Sequence, residues 1–114
     1  DDFYFTADYS QVMGASRQGR GQVVQLDVRR KIADVALSGM PHLGSGIAWD
    51  WQGRRVMATP NLKEGVVSVI DVATWQTVKR IPTLGPGFFL RSHEASRYAW
   101  VDAMMSPHRD TLQV

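Results

Sequence analysis

The sequence predicts an all-β chain built from repeated four-stranded antiparallel units, the pattern of a β-propeller. Three observations carry this. Short apolar segments alternate with turn residues along the whole length, and no segment sustains the 3.6-residue apolar period of a helix. The order of segments repeats after roughly 41–46 residues, the spacing of a propeller blade. A loop frame, P-x-L-G-x-G, occurs at Pro41–Gly46 and returns at Pro82–Gly87.

Taken in order, Phe3–Ala7 is aromatic and reads as a strand. Tyr9–Gly21 is polar, contains Gly14, Gly19 and Gly21, and reads as a loop. Gln22–Val28 and Lys31–Leu37 read as strands joined at Arg29 and Arg30. The loop containing His42 follows. Ile47–Trp49 is a short strand, Asp50–Gly53 a turn, Arg55–Thr59 a strand and Pro60–Gly65 a loop. The order then recurs. Val66–Val72 matches Gln22–Val28, and Thr77–Ile81 matches the strand after it. Phe88–Leu90 matches Ile47–Trp49, and Arg97–Val101 matches Arg55–Thr59. Asp110–Val114 begins a third copy. Residues 1–114 therefore read as one partial propeller domain of about two and a half blades, a piece of a longer protein.

Composition sets outer bounds. The 114 residues are 44% hydrophobic and 21% charged, ordinary values for a globular domain. Thirteen basic and 11 acidic side chains are interspersed, with no run suited to nucleic acid. No apolar stretch is long enough to span a membrane. The chain has no cysteine, which removes disulfides and thiolate metal sites. Sequence signatures of P-loops, nucleophile elbows, HExxH zinc sites and EF-hands are missing.

The repeated part of the loop frame suggests architecture, and the unrepeated part suggests chemistry. Gly44 and Gly46 recur as Gly85 and Gly87, which favours a backbone role. His42 does not recur, because Thr83 stands in its place. An imidazole in a loop at the channel mouth can move a proton or ligate a metal; the alternative is a loop histidine bonded to backbone. Phe89 falls at the start of an inner strand beside the channel, where an aromatic side chain commonly serves the core. Asn61 and Lys63 share a loop on the His42 face, and a solvated role is open for Lys63. Arg91 reads as heading to the opposite face. His93 falls on that face too, in a structural hydrogen-bonding role. Asp27 and Asp71 look like turn-capping carboxylates.

Several segments together resemble one family. Pro41–Gly46 is similar to the Pro-His-Pro-Gly-Arg-Gly loop of haem d1-binding propellers, the cytochrome d1 domain of nitrite reductase among them. Met57–Leu62 resembles its Trp-Ala-Thr-Ser-His-Leu segment. Phe89–His93 and Tyr98–Ala103 resemble Phe-Ile-Lys-Thr-His and Tyr-Leu-Tyr-Val-Asp-Ala. The resemblance implies an eight-bladed propeller with haem d1, an iron tetrapyrrole bearing several carboxylates, at one end of the channel. It implies His42 on the distal side of that haem as acid/base or iron ligand, with Gly46, Asn61, Lys63 and Phe89 as cofactor contacts. Ser45 stands where nitrite reductases have an arginine, and Asn61 where they often have a histidine. Both departures point to haem d1 biosynthesis proteins of the dihydro-haem d1 dehydrogenase type rather than to nitrite reductase. An enzyme of this kind would be a periplasmic oxidoreductase of denitrification. Its partners would be haem d1 or its precursor, and nitrite reductase or other maturation proteins. Two alternatives stay open: a nitrite reductase d1 domain converting nitrite to nitric oxide, and a YVTN-type repeat propeller that binds protein without a cofactor.

Overall fold

The computed structural model describes residues 2–114, which form three antiparallel sheets in chain order. The first contains β1 (Asp2–Phe5), β2 (Gln11–Ala15), β3 (Arg20–Gln25) and β4 (Arg30–Ala36). The second contains β5 (Ile47–Trp51), β6 (Arg54–Pro60), β7 (Val66–Asp71) and β8 (Thr77–Pro82). The third pairs β9 (Leu90–Ser92) with β10 (Ala99–Asp102), and β10 with β11 (Leu112–Gln113). Within each sheet, every strand pairs with the next in sequence, as in propeller blades. The first two sheets repeat in detail. Each carries a register shift between its third and fourth strands, at Val23/Val24 and at Val69/Ile70.

The core lies between sheets. Met13, Val23, Val35 and Leu43 meet Met57, Ile70 and Trp75 between the first and second. Val56, Ala58, Val67 and Val69 meet Leu90 and Val101 between the second and third. The second sheet is thus covered on both faces, and every residue of β7 is buried. Alternation explains this: Val56 and Ala58 point one way from β6 and Met57 the other. Trp75 ties the first two sheets at the rim, where its indole N–H donates to Gln11 at 3.1 Å.

Three readings of the sequence need correction. Tyr9–Gly21 is not all loop, since Gln11–Ala15 forms β2. Its glycine content concealed an apolar pair, Val12 and Met13, and Gly14 lies in the strand opposite Phe3. The turn after β5 is only Gln52-Gly53, both at positive φ, the two-residue hairpin form that matches strand twist. Phe88 and Phe89 precede β9 rather than belonging to it.

Alternate connections emerge on one face, and backbone bonds join them. Leu62 N–H donates to the Met40 carbonyl at 2.8 Å, and Gly87 N–H to the Asn61 carbonyl at 3.0 Å. Pro41 also forms an isolated bridge with Asn61. Each connector is therefore held by its neighbour, and His42 sits among them.

Candidate functional site

His42 precedes a single 3-10 turn, Leu43–Ser45, closed by Gly46 N–H donating to the Leu43 carbonyl at 2.8 Å. Leu43 plugs the core between the first two sheets at 1% exposure. That burial fixes the turn and turns the imidazole outward. The glycines are required by close approach rather than by φ, since neither Gly44 nor Gly46 has positive φ. A side chain on Gly46 would press on the Leu43 and Ala58 carbonyls at 3.0 and 3.1 Å. On Gly87, its repeat, a side chain would strike the Asp102 carbonyl. Gly46 therefore shapes the connector, and its smallness is already used by the protein itself.

The imidazole is oriented by the segment that leads into β9. Its Nδ1 lies 2.5 Å from the Phe88 carbonyl oxygen. A carbonyl only accepts, so Nδ1 carries the hydrogen and Nε2 keeps its lone pair in the neutral ring. Nε2 faces the Asp2 carboxylate at 4.0 Å. The same Asp2 accepts the Gly44 N–H at 2.7 Å, which holds the carboxylate beside the loop. The ring meets Phe88 and Phe89 edge-on, with centroids at 5.6 and 6.3 Å.

The Phe88 carbonyl is itself fixed. The Ser45 hydroxyl donates to it at 2.7 Å and accepts the Leu90 N–H at 3.0 Å. The buried Asp102 carboxylate accepts the Phe88 and Phe89 N–H groups at 3.2 and 2.6 Å and the Met104 N–H at 3.0 Å. Asp102, a positioning residue that the sequence reading passed over, carried one signal: its place in the Tyr98–Ala103 motif.

His42 and Pro41 line a cleft of about 290 Å³ with Asp2, Ala15, Ser16, Arg17, Met40 and Leu62. The other expected residues distribute unevenly around it. Phe89 is 46% exposed beside the imidazole, where a flat ligand can stack. Lys63 is exposed on the neighbouring loop. Asn61, expected to contact a cofactor, is instead turned inward at 4% exposure. Its carbonyl oxygen accepts the Met40, Lys63 and Glu64 N–H groups at 3.1, 2.9 and 3.0 Å, and its amide nitrogen donates to Ser38. It clamps two connectors together. Gly39, at φ +58, packs against this amide with no room for a side chain. Arg91, expected to point to the opposite face, folds back instead: its guanidinium lies 5.9 Å from the Phe89 centroid. His93 is in the turn between β9 and β10, where Nδ1 accepts the Ala95 N–H at 3.1 Å. No cluster of three or more metal-ligating side chains occurs among the described residues, so any metal bound here through His42 would take its other ligands from elsewhere. No helix among them is long and apolar enough to cross a membrane.

Comparison with known proteins adds four findings. The family model described as "Cytochrome D1 heme domain" matches residues 1–114. A dihydro-heme d1 dehydrogenase of Pseudomonas aeruginosa is 52% identical over 113 residues, 98% of this chain and 23% of that protein. The solved structure of dihydro-heme d1 dehydrogenase NirN in complex with DHE superposes with a TM-score of 0.93 at 51% identity, over 98% of this chain and 24% of that one. The chain thus spans about a quarter of the length of these relatives. Hydrazine synthase of Kuenenia stuttgartiensis shares the fold alone, with a TM-score of 0.70 at 16% identity over 90% of this chain and 28% of the other.

Proposed function

The chain belongs to the cytochrome d1 haem-domain family, and on that premise we propose that it forms part of a propeller that binds haem d1 and acts in haem d1 biosynthesis or maturation. The observation that carries this reading is the 2.5 Å contact between His42 Nδ1 and the Phe88 carbonyl. It commits one ring nitrogen to the protein and leaves Nε2, which faces Asp2 at 4.0 Å, without a hydrogen bond inside the protein. The residues fit a flat, anionic, iron-bearing ring. Nε2 offers a proton acceptor or a metal donor, Phe89 an exposed aromatic face, and Lys63 an exposed cation near the rim. Gly46 and Asn61 serve the same site by shaping the connectors.

Bound haem d1 supplies iron and a conjugated macrocycle that can give up or accept electrons. The protein's part is to handle a proton at His42 Nε2 while the Phe88 carbonyl keeps the ring fixed through Nδ1. Asp2, at 4.0 Å, places negative charge beside the imidazolium that forms. Ser45 favours the biosynthesis reading over nitrite reduction. Its hydroxyl is buried and spent on Phe88 and Leu90, so it makes no cofactor contact. The same reading places the protein in the periplasm, working on a haem d1 precursor beside nitrite reductase or other maturation proteins.

The test is His42→Ala in the full-length protein, with haem d1 affinity, absorption spectrum and turnover measured together. A changed spectrum and a turnover loss of about a hundredfold or more are expected if His42 is acid or base. All three unchanged would refute the assignment.

A further inference from the structure

Arg91 opens a second question, because its side chain points back across the chain rather than along its strand. Nη1 donates to the Ser45 carbonyl at 3.4 Å and to the Leu90 carbonyl at 3.2 Å. The guanidinium lies over the Phe89 ring at 5.9 Å, within cation–π range. That ring is 6.3 Å from the His42 imidazole. Cation, aromatic ring and imidazole thus form one continuous strip.

The guanidinium is held but not used up. Both protein contacts fall on Nη1. Among the described residues no carboxylate pairs with Arg91. The Nε–Nη2 edge therefore stays available, and a guanidinium edge with two parallel N–H groups matches the two oxygens of a carboxylate. Ser45 helps by being small: with its hydroxyl buried, its carbonyl is left to receive Nη1.

We infer that Arg91 is the anion-binding residue of this face, taking a carboxylate of the ligand that lies against Phe89 and His42. The inference rests on the haem d1 reading above and deepens it, since it names which end of an asymmetric, carboxylate-bearing ring faces the third sheet.

The experiment titrates full-length wild type, Arg91→Gln and Arg91→Lys with haem d1 and with its methyl ester, followed by visible absorbance. Wild type should bind the free acid more tightly than the ester. Arg91→Gln should weaken the free acid by about ten- to a hundredfold, the range of a charge-assisted hydrogen bond. The same variant should bind the ester within about twofold of wild type, which also shows that it is folded. Arg91→Lys, with charge but no fork, should fall between. The role of Arg91 is overturned if Arg91→Gln keeps the wild-type preference for the acid, or weakens acid and ester alike. If wild type binds neither form, the haem d1 reading falls and this inference falls with it.

Discussion

Pro41–Gly46 and Pro82–Gly87 share one frame and are used differently. In the first, Leu43 is driven into the core at 1% exposure, and the turn that results holds an imidazole outward. In the second, Leu84 is 45% exposed, and Thr83 merely closes its own turn by donating to the Gly85 carbonyl at 3.0 Å. Yet the two are not independent. The residue just after the second frame, Phe88, supplies the carbonyl on which His42 rests. The repeat therefore does two jobs at once: one copy carries the reactive group, and the next copy carries its seat. A site built this way depends on blade order, because sequence neighbours 46 apart become partners only when adjacent sheets pack.

The largest test of that asymmetry is a matched pair. Leu43→Ala should cost about 2–5 kcal/mol of stability, as a large-to-small change in a closed core. Leu84→Ala, at a side chain 45% exposed within these residues, should cost less than that. Denaturant midpoints of the full-length variants decide it, and equal losses would mean that the connectors are equivalent. A smaller effect should follow Ser45→Ala, which leaves the Leu90 N–H without its acceptor and the Phe88 carbonyl with one donor fewer. We expect a loss of about 1–3 kcal/mol, measured in the same way. Pro86, at the matching place in the second frame, has no hydroxyl to lose.

The smallest effect lies on neither connector. Asp8, in the β1–β2 turn, has its carboxyl held down to about 2, first by the Ser10 N–H and then by the Thr6 and Ser10 hydroxyls. A carboxyl with a depressed folded-state value stabilises above its unfolded value, near 3.9. That contribution is lost as pH falls toward about 2. Asp8→Asn should reduce the pH dependence of stability in that window only, by acid unfolding curves, leaving the share due to Asp34, whose carboxyl the Lys31 ammonium also holds down, and leaving the His42 face unchanged.

Much of this was legible in the sequence, and the reasons differ by residue. The blade period, the strand segments of the second sheet and the His42 connector follow from apolar spacing and from a repeated frame, both local signals. β2 was hidden because glycine content outweighed two apolar residues, and its strand character comes from pairing on both sides. Asn61 looked like a ligand-facing side chain because its loop faces the right way. Its four hydrogen bonds to backbone show why loop position does not fix side-chain direction. Arg91 misled in the opposite sense, since its strand heads toward the far face and its long side chain brings the guanidinium back to the Ser45 carbonyl. Those outcomes depend on packing between sheets, and no local pattern encodes them.

The central claim is that the Phe88 carbonyl fixes the His42 ring with Nδ1 protonated and Nε2 free. Nitrogen-15 NMR of the full-length protein without ligand, at a pH where this ring is neutral, reads it directly. The account predicts a single tautomer with hydrogen on Nδ1, and a mixed population once Ser45→Ala loosens the carbonyl. Hydrogen on Nε2, or an even exchange between the two nitrogens in wild type, would contradict it.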